Sequence, residues 1–411
     1  MNPTQPDTGW PTTDAAEQYW KKQSEQFMVD PEEVYLNTGS WGSTPRRVFD
    51  SVIKGLEILE GNPTRNRSIL VDKMNTARVS FGAFVEARPQ DIAFVQNVTV
   101  AINMVVHGLT WQAGDEILAS DQEYGAIDNC LHHAEKLWGV KVNRAEIPIP
   151  ASEPEEIVQA FREKLTPKTK LLVCSHVATR TGLITPVDKL AELAHQNDAL
   201  LAVDGAHAPG MIPLSLGSSG VDFYGGNCHK WLCAPKGTGF LFVRPEHQDK
   251  LHHVVVSWGY NKNGPTRDED GSLKINNQPY MWQLEHWGTR EMAGFGAIEE
   301  AVAVQNEIGK EQILQRGKQL AGYFRDRLSD APWAELMTPT HPEMTGSITT
   351  FRYKNIDFKE FSRRLYDEKR ITTPVFDEPH GILQRVSTHI YNSFAEIDLL
   401  LRFLESFQAK N

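Results

Sequence analysis

Cysteine is scarce in this chain of 411 residues, and its four copies, Cys130, Cys174, Cys228 and Cys233, show neither a C-x-x-C pair nor zinc-finger spacing. They read as reduced, mainly buried thiols, and no metal site is expected. Positive charge is in the minority: 42 Lys and Arg against 53 Asp and Glu leave a net charge of −11. With no basic cluster interleaved with aromatics, no nucleic-acid partner is expected. Long apolar runs are also missing. No stretch reaches the roughly 20 uncharged residues a bilayer requires. The segment from Met1 to Asp14 is polar, carries three prolines and lacks the apolar core of a signal peptide. No membrane partner and a cytoplasmic location are therefore expected. No repeats or low-complexity tracts occur. With 40% hydrophobic residues the chain can bury a large core.

What is present is most informative between Leu200 and Trp231. Ala199 to Val203 is an unbroken apolar run, the pattern of a strand buried on both faces of a parallel sheet, and it ends on Asp204. In open α/β sheets ligands lie beyond the carboxyl ends of the strands, which puts this carboxylate where a cofactor would sit. Gly205-Ala206-His207 begins small enough to admit a flat ring. A further strand is predicted over Val221–Tyr224, broken by Gly225-Gly226-Asn227-Cys228 before His229-Lys230-Trp231. A lysine there can reach the same crevice as Asp204. Pyridoxal chemistry needs this pair: an amine to form the Schiff base, and a carboxylate to keep the pyridine nitrogen protonated so that the ring draws electrons. Alone, the aspartate reads as a helix cap and the lysine as a surface residue. Together they say more.

Other segments add to the pattern. Asp91 to Gln96 reads as a strand leading through Asn97-Val98-Thr99 into an apolar helix ending near Leu109; unpaired amides and the helix dipole make such a start an anion site. Tyr124, in Glu123-Tyr124-Gly125-Ala126, offers a π face beside a helix start. The buried run Leu171 to Ser175 is followed by His176 to Gly182, which contains Thr179. Arg385, in Arg385-Val386-Ser387-Thr388-His389, can pair with a carboxylate through two parallel hydrogen bonds. Early in the chain stands Tyr35-Leu36-Asn37-Thr38-Gly39-Ser40-Trp41-Gly42.

In this order the segments resemble the class V aminotransferases, a family of fold-type-I pyridoxal-phosphate enzymes. Within it they resemble the isopenicillin N epimerase-like branch, related to the cysteine desulfurases. The resemblance runs from about Tyr35 to the C-terminus and implies pyridoxal 5'-phosphate as cofactor, an amino acid as substrate and a homodimer with shared active sites. It implies Lys230, Asp204 and Tyr124 as catalytic groups. Asn97, Val98, Thr99, Tyr124, Thr179, Asp204, His207, His229 and Lys230 would bind the cofactor, with Thr289 reaching the phosphate of the neighbouring subunit. Thr179 stands where the family carries an asparagine. Arg385 would grip the substrate carboxylate, with Asn37, Gly39 and Ser40 beside it. For the substrate side chain the candidates are Arg65, Arg67, Arg180 and Tyr260. Desulfurases of the family carry a nucleophilic cysteine shortly before the arginine; Ile371 to Gln384 holds none here, so persulfide transfer is not expected.

The expected fold class is α/β, a large mainly parallel-sheet domain with a smaller α+β domain. The expected divisions are 1–45 as arm and entry segment packing with the small domain, 46–291 as the large domain, and 292–411 as the small one. Helices are predicted over Arg47–Gly61 and Val71–Glu86 with a loop, Gly61 to Arg67, between them. A long helical stretch is predicted from Met292 to Leu328, and a mobile loop around Gly259–Pro265. The reaction is expected to be epimerisation or β-elimination through a Cα carbanion, with transamination as the alternative.

Overall fold

The computed structural model describes residues 13–258, 260, 264–269, 271–353, 358–378 and 381–408. The expected arm before Thr13 lies outside them, as do Gly259 and Asn261–Asn263 of the expected mobile loop.

Seven strands make the central sheet: β1 (Ile92–Val95), β2 (Glu116–Ser120), β3 (Lys141–Ala145), β4 (Thr169–Ser175), β5 (Leu200–Gly205), β6 (Phe223–Asn227) and β7 (Gly239–Val243), in the order β1-β7-β6-β5-β4-β2-β3. Only β7 runs against the others. The sheet is mainly parallel with helices on both faces, so the expected α/β class holds. Alternate residues serve opposite faces. Leu201 and Val203 of β5 join one apolar core and Ala202 the other, while Phe94 and Ala93 of β1 divide the same way. The larger of these, Leu201, Val203 and Phe94, each contribute about 1.5–3 kcal/mol on burial, so a slip of one residue would expose several at once.

Three local expectations are corrected. Gly225 and Gly226 continue β6 rather than break it, because the strand needs room on both sides. A Cβ on Gly225 would lie 2.8 Å from Cβ of Ala101, and one on Gly226 would lie 2.4 Å from the ring of Phe240. The expected loop 61–67 shrinks to Asn62, since one helix runs Arg46–Gly61 and the next starts at Pro63. Asn62 caps it by accepting from the Arg65 amide at 3.0 Å, and proline suits the first helical turn. The predicted helix from Met292 to Leu328 is three pieces, Ala293–Gly296, Ile298–Ile308 and Lys310–Ser329. The last break falls at Gly309, whose φ of 101° no helix accommodates.

A second, antiparallel sheet consists of β8 (Ala334–Leu336), β9 (Ile348–Tyr353), β10 (Val375–Glu378) and β11 (Gly381–Ser387), ordered β8-β9-β11-β10. The helices Lys310–Ser329, Phe358–Lys369 and Phe394–Gln408 pack on it around Phe324, Phe351, Phe361 and Leu404. Leu36 is buried in this same core, and Val34–Tyr35 pairs in parallel with Ile371–Thr372. The chain then crosses to the first sheet. The Ser387 amide donates to the Leu36 carbonyl at 2.9 Å, whereas the Gly42 amide donates to the His229 carbonyl at 3.0 Å. Residues 36–42 thus tie the two sheets together.

Candidate active site

Between the carboxyl ends of β1, β4, β5 and β6, the entry segment and β11 lies a cavity of about 760 Å³. Asp204 reaches it because parallel pairing puts Ser175, Asp204 and Gly225 side by side at the strand ends. Its Oδ1 accepts from the Ala206 amide at 2.8 Å. Burial raises the Asp204 pKa, opposed by that amide and by the charge of Lys230.

Lys230 lies across the cavity on the turn after β6. Burial, and next the nearby Arg385 charge, bring its amine down to about 7 against the pull of Asp204. An amine that loses its proton near neutrality can attack a carbonyl or accept a proton. Lys230 Nζ lies 3.4 Å from His207 Nε2, which is 3.1 Å from Thr179 Oγ1. Burial, with the charges of Lys230 and Arg385, holds His207 well below the usual histidine range. His229 Nδ1 donates to the Thr238 carbonyl at 2.8 Å, and burial lowers that imidazole to about 4.

Arg385 enters from β11. It donates from Nη1 to the Thr179 hydroxyl (2.9 Å) and carbonyl (3.1 Å), and from Nη2 to Ser40 Oγ (3.0 Å) and Asn37 Oδ1 (3.4 Å). Gly39 must be glycine here, since a Cβ would lie 2.7 Å from Ser387 Oγ and 3.3 Å from the guanidinium carbon. The buried Nε of Arg385 and Oγ of Ser387 have no protein partner. A charged group with a buried unused donor beside a cavity is ready for an anionic ligand.

The helix Val98–Gly108 opens into the cavity. Asn97 caps it by accepting from the Val100 amide at 3.0 Å, and Asn227 Oδ1 accepts from the Val98 amide at 2.8 Å. Thr99 lines the cavity at this first turn, and Tyr124, half exposed before the helix Gly125–Trp138, lines another wall. The cavity thus gathers Gly39, Ser40, Asn97, Val98, Thr99, Tyr124, Thr179, Arg180, Asp204, His207, His229, Lys230 and Arg385 of the residues singled out from sequence, with Asn37 touching the arginine. It does not gather Arg65, Tyr260 or Thr289 from the same chain. Arg65 sits in the first turn of the helix Pro63–Phe84, and Tyr260 packs edge-on against His253. Thr289 and Arg67 line a second cavity of about 470 Å³.

Sequence reasoning overlooked Asn227, Lys236 and Ser175, which also line the main cavity. Lys236 bridges to the Gly42 carbonyl and, at 2.9 Å, the Thr44 hydroxyl. The placement of Asn227 at the end of β6 was a usable signal. The two glycines before it, which look like a strand break, mask that signal. Glu123 is equally unforeseen: Ser120 Oγ donates to it at 2.5 Å, and the Ser175 hydroxyl and amide at 2.8 and 3.1 Å.

The family model for class-V aminotransferases matches residues 34–400. The chain belongs to this family. Class-V aminotransferases are pyridoxal-phosphate enzymes, and the residues present fit that group: a buried amine, a buried carboxylate, an open helix start and a half-exposed tyrosine face one cavity. Isopenicillin N epimerase of Amycolatopsis lactamdurans is 36% identical over 390 residues, 94% of this chain and 98% of that protein. Isopenicillin N epimerase of Streptomyces clavuligerus is 34% identical, covering 94% and 98%. Among solved structures, a cystine C–S lyase in complex with its product cysteine persulfide superposes with a TM-score of 0.81 at 21% identity, covering 92% of this chain and 98% of that one. It bears out the fold. This class-V chain therefore has the fold-type-I architecture expected of it, and among the described residues no helix is long and apolar enough to cross a membrane.

Proposed function

We propose that the protein is an amino-acid epimerase that removes the α-proton of a pyridoxal-bound substrate and admits a solvent-derived proton on the opposite face, with β-elimination as the competing outcome of the same proton removal. The observation that carries this reading is the joint presence, in one cavity, of an amine brought down to about 7 and a guanidinium with an unused buried donor. The two relatives named as epimerases support it, as does the lack of a cysteine between Ile371 and Gln384, which argues against persulfide transfer.

When bound, pyridoxal phosphate supplies an electron sink that acidifies the α C–H bond. Asp204 would hold a proton at the ring nitrogen, and Lys230 would hold the cofactor at its aldehyde carbon and serve at Nζ as the acceptor of the α-proton. Arg385, steadied by Thr179, Ser40 and Asn37, binds the α-carboxylate and turns the C–H bond toward the lysine. Thr99, at the helix start just after Asn97 and Val98, would receive the phosphate, with His229 lining the same cavity. Tyr124 would cover the ring, and Thr179 and His207 would hold its phenolic oxygen.

The same reading places the protein in the cytoplasm as a homodimer, with Thr289 serving the neighbouring subunit. Support comes from Trp258, which is 90% exposed beside Thr289 in the second cavity, and from the exposed Val254–Val256 that precede it. Arg67 shares that cavity and Arg180 lines the main one, which supports these two rather than Arg65 as readers of a distal acidic group on the substrate. Mixing Lys230→Ala subunits with Thr289→Ala subunits should restore part of the activity, because such dimers regain one intact site.

The test is to incubate the holoenzyme with L-amino acids and their derivatives in deuterated water, following mass, chirality and cofactor spectrum. Cα deuteration with inversion and no keto acid supports epimerisation. Loss of a side-chain fragment would replace it with elimination. Stoichiometric keto acid with the amine form of the cofactor would establish transamination and sink the proposal.

A further inference from the structure

Trp231 follows the lysine in the chain, is 1% exposed, and packs among Val177, Met211 and Ile348. Its carbonyl accepts from Gln305 Nε2 and His389 Nε2, both at 3.1 Å. Its indole Nε1 lies 3.2 Å from His207 Nδ1. An indole nitrogen can only donate. His207 Nδ1 is therefore the unprotonated nitrogen, and the neutral ring carries its proton on Nε2. That nitrogen faces Lys230 Nζ at 3.4 Å and Thr179 Oγ1 at 3.1 Å.

We propose that Trp231 is a positioning residue that fixes the His207 tautomer and thereby holds Lys230 as a free amine. A lysine ammonium has three donors and no acceptor, so opposite an Nε2–H it meets a donor. The free amine offers a lone pair and meets a partner. The opposite tautomer would present a lone pair at Nε2 and favour the charged lysine. Thr179 does not reverse this: its hydroxyl accepts from Arg385 at 2.9 Å and keeps a second lone pair for the Nε2 proton, so Nε2 offers the ammonium no lone pair whichever neighbour takes that proton. The charged and titratable groups lining the cavity with Lys230 are Asp204, His207, Tyr124, Arg180, His229, Lys236 and Arg385. Burial and Arg385 act on the lysine in the same direction as the tautomer, and Asp204 acts against them. Sequence reasoning alone treats His207 as a contact for the cofactor. The structure gives it a second duty, set by the residue after the lysine.

The inference rests on Lys230 being the cofactor lysine and is indifferent to which reaction follows. The experiment uses full-length protein stripped of cofactor and measures, against pH, the rate at which added pyridoxal phosphate is captured covalently, because only a free amine attacks the aldehyde. The wild type should show a midpoint near 7. Trp231→Phe should raise it by about one pH unit, which slows capture about fivefold at pH 7. Adding His207→Leu, whose apolar side chain offers the ammonium no lone pair whatever residue 231 is, should bring the midpoint back down. An unmoved midpoint in Trp231→Phe, or no return in the double variant, would overturn the proposal. Nitrogen-15 NMR of histidine-labelled wild type needs no variant to fold. A proton on Nε2 of His207 is expected, and one on Nδ1 would overturn it. Borohydride reduction and peptide mapping check the premise separately: attachment at Lys230 supports it, and attachment elsewhere removes it whatever the tautomer.

Discussion

Gly42→Ala should uncouple the entry segment from the lysine. A Cβ on Gly42 would fall 1.8 Å from the Lys230 carbonyl oxygen and 2.9 Å from Cys233 Sγ, and both belong to a buried turn rather than to a flexible tip. Since Cβ atoms stay beyond 3.0 Å of such neighbours, the two segments must part by more than an ångström. That breaks the bond from the Gly42 amide to the His229 carbonyl and disturbs the Lys236 contact to the Gly42 carbonyl. Overpacking of this kind costs about 1–3 kcal/mol, a tolerable loss for a folded protein. The functional cost is larger. A displacement of about 1 Å between reacting groups can cost on the order of 100-fold in rate, and Ser40, on the same segment, helps hold Arg385. The expected outcome is an α-deuteration rate down about 100-fold while the protein remains folded with a modestly lower melting temperature. Gly61→Ala is the control, because at this helix end an added Cβ meets only Asn66 Nδ2 at 3.5 Å. If Gly42→Ala exchanged its substrate as fast as the wild type, the segment would not govern the geometry and the reasoning would fail.

Arg385→Lys should lose the fork that meets Thr179 and Ser40 and raise KM for a carboxylate substrate by about 10- to 100-fold, while leaving binding of the corresponding amide little changed; steady-state comparison of the two ligands decides it. Glu123, raised to about 7 chiefly by burial, binds a proton in the folded state that it releases in the unfolded one, so between its ordinary value of 4.5 and about 7 it makes stability fall as pH rises. Denaturant titrations across that range should show Glu123→Gln removing a slope of at most roughly 1.4 kcal/mol per pH unit. Glu17→Ala should strand Arg316, which is 1% exposed and paired with Glu17 at 2.5 Å, costing about 2 kcal/mol after allowance for the partly exposed carboxylate. Urea unfolding would detect this, and an unchanged midpoint would mean the N-terminal helix Asp14–Ser24 is not held by that pair.

The fold was legible where burial writes itself into composition. Ala199 to Val203 has no polar alternation because β5 has neighbours on both edges and helices on both faces, and the strand found there is Leu200–Gly205. It was illegible where a residue answers to distant neighbours. Gly225 and Gly226 look like a break until Ala101 and Phe240, which exclude any side chain, are brought against them. Asn62-Pro63 suits a loop and a helix start equally, and nothing local in the dipeptide separates the two. In the cavity, the gathering of Lys230, Asp204 and Arg385 follows a spacing that sequence can display. The hydrogen bond from Trp231 to His207 cannot be read that way, since it joins residues on different strand ends through the direction of one ring.

The segment from Leu36 to Gly42 spans the gap between the sheets as a strap of fixed length, fastened at one end to β11 and at the other to the lysine turn. A strap fastened twice cannot lengthen to admit a bulkier substrate. Wider specificity, whether sought by selection or by an engineer, must come from walls not fastened in this way, such as Phe376 and Tyr124, while the distance from carboxylate clamp to amine stays the same for every substrate the protein turns over.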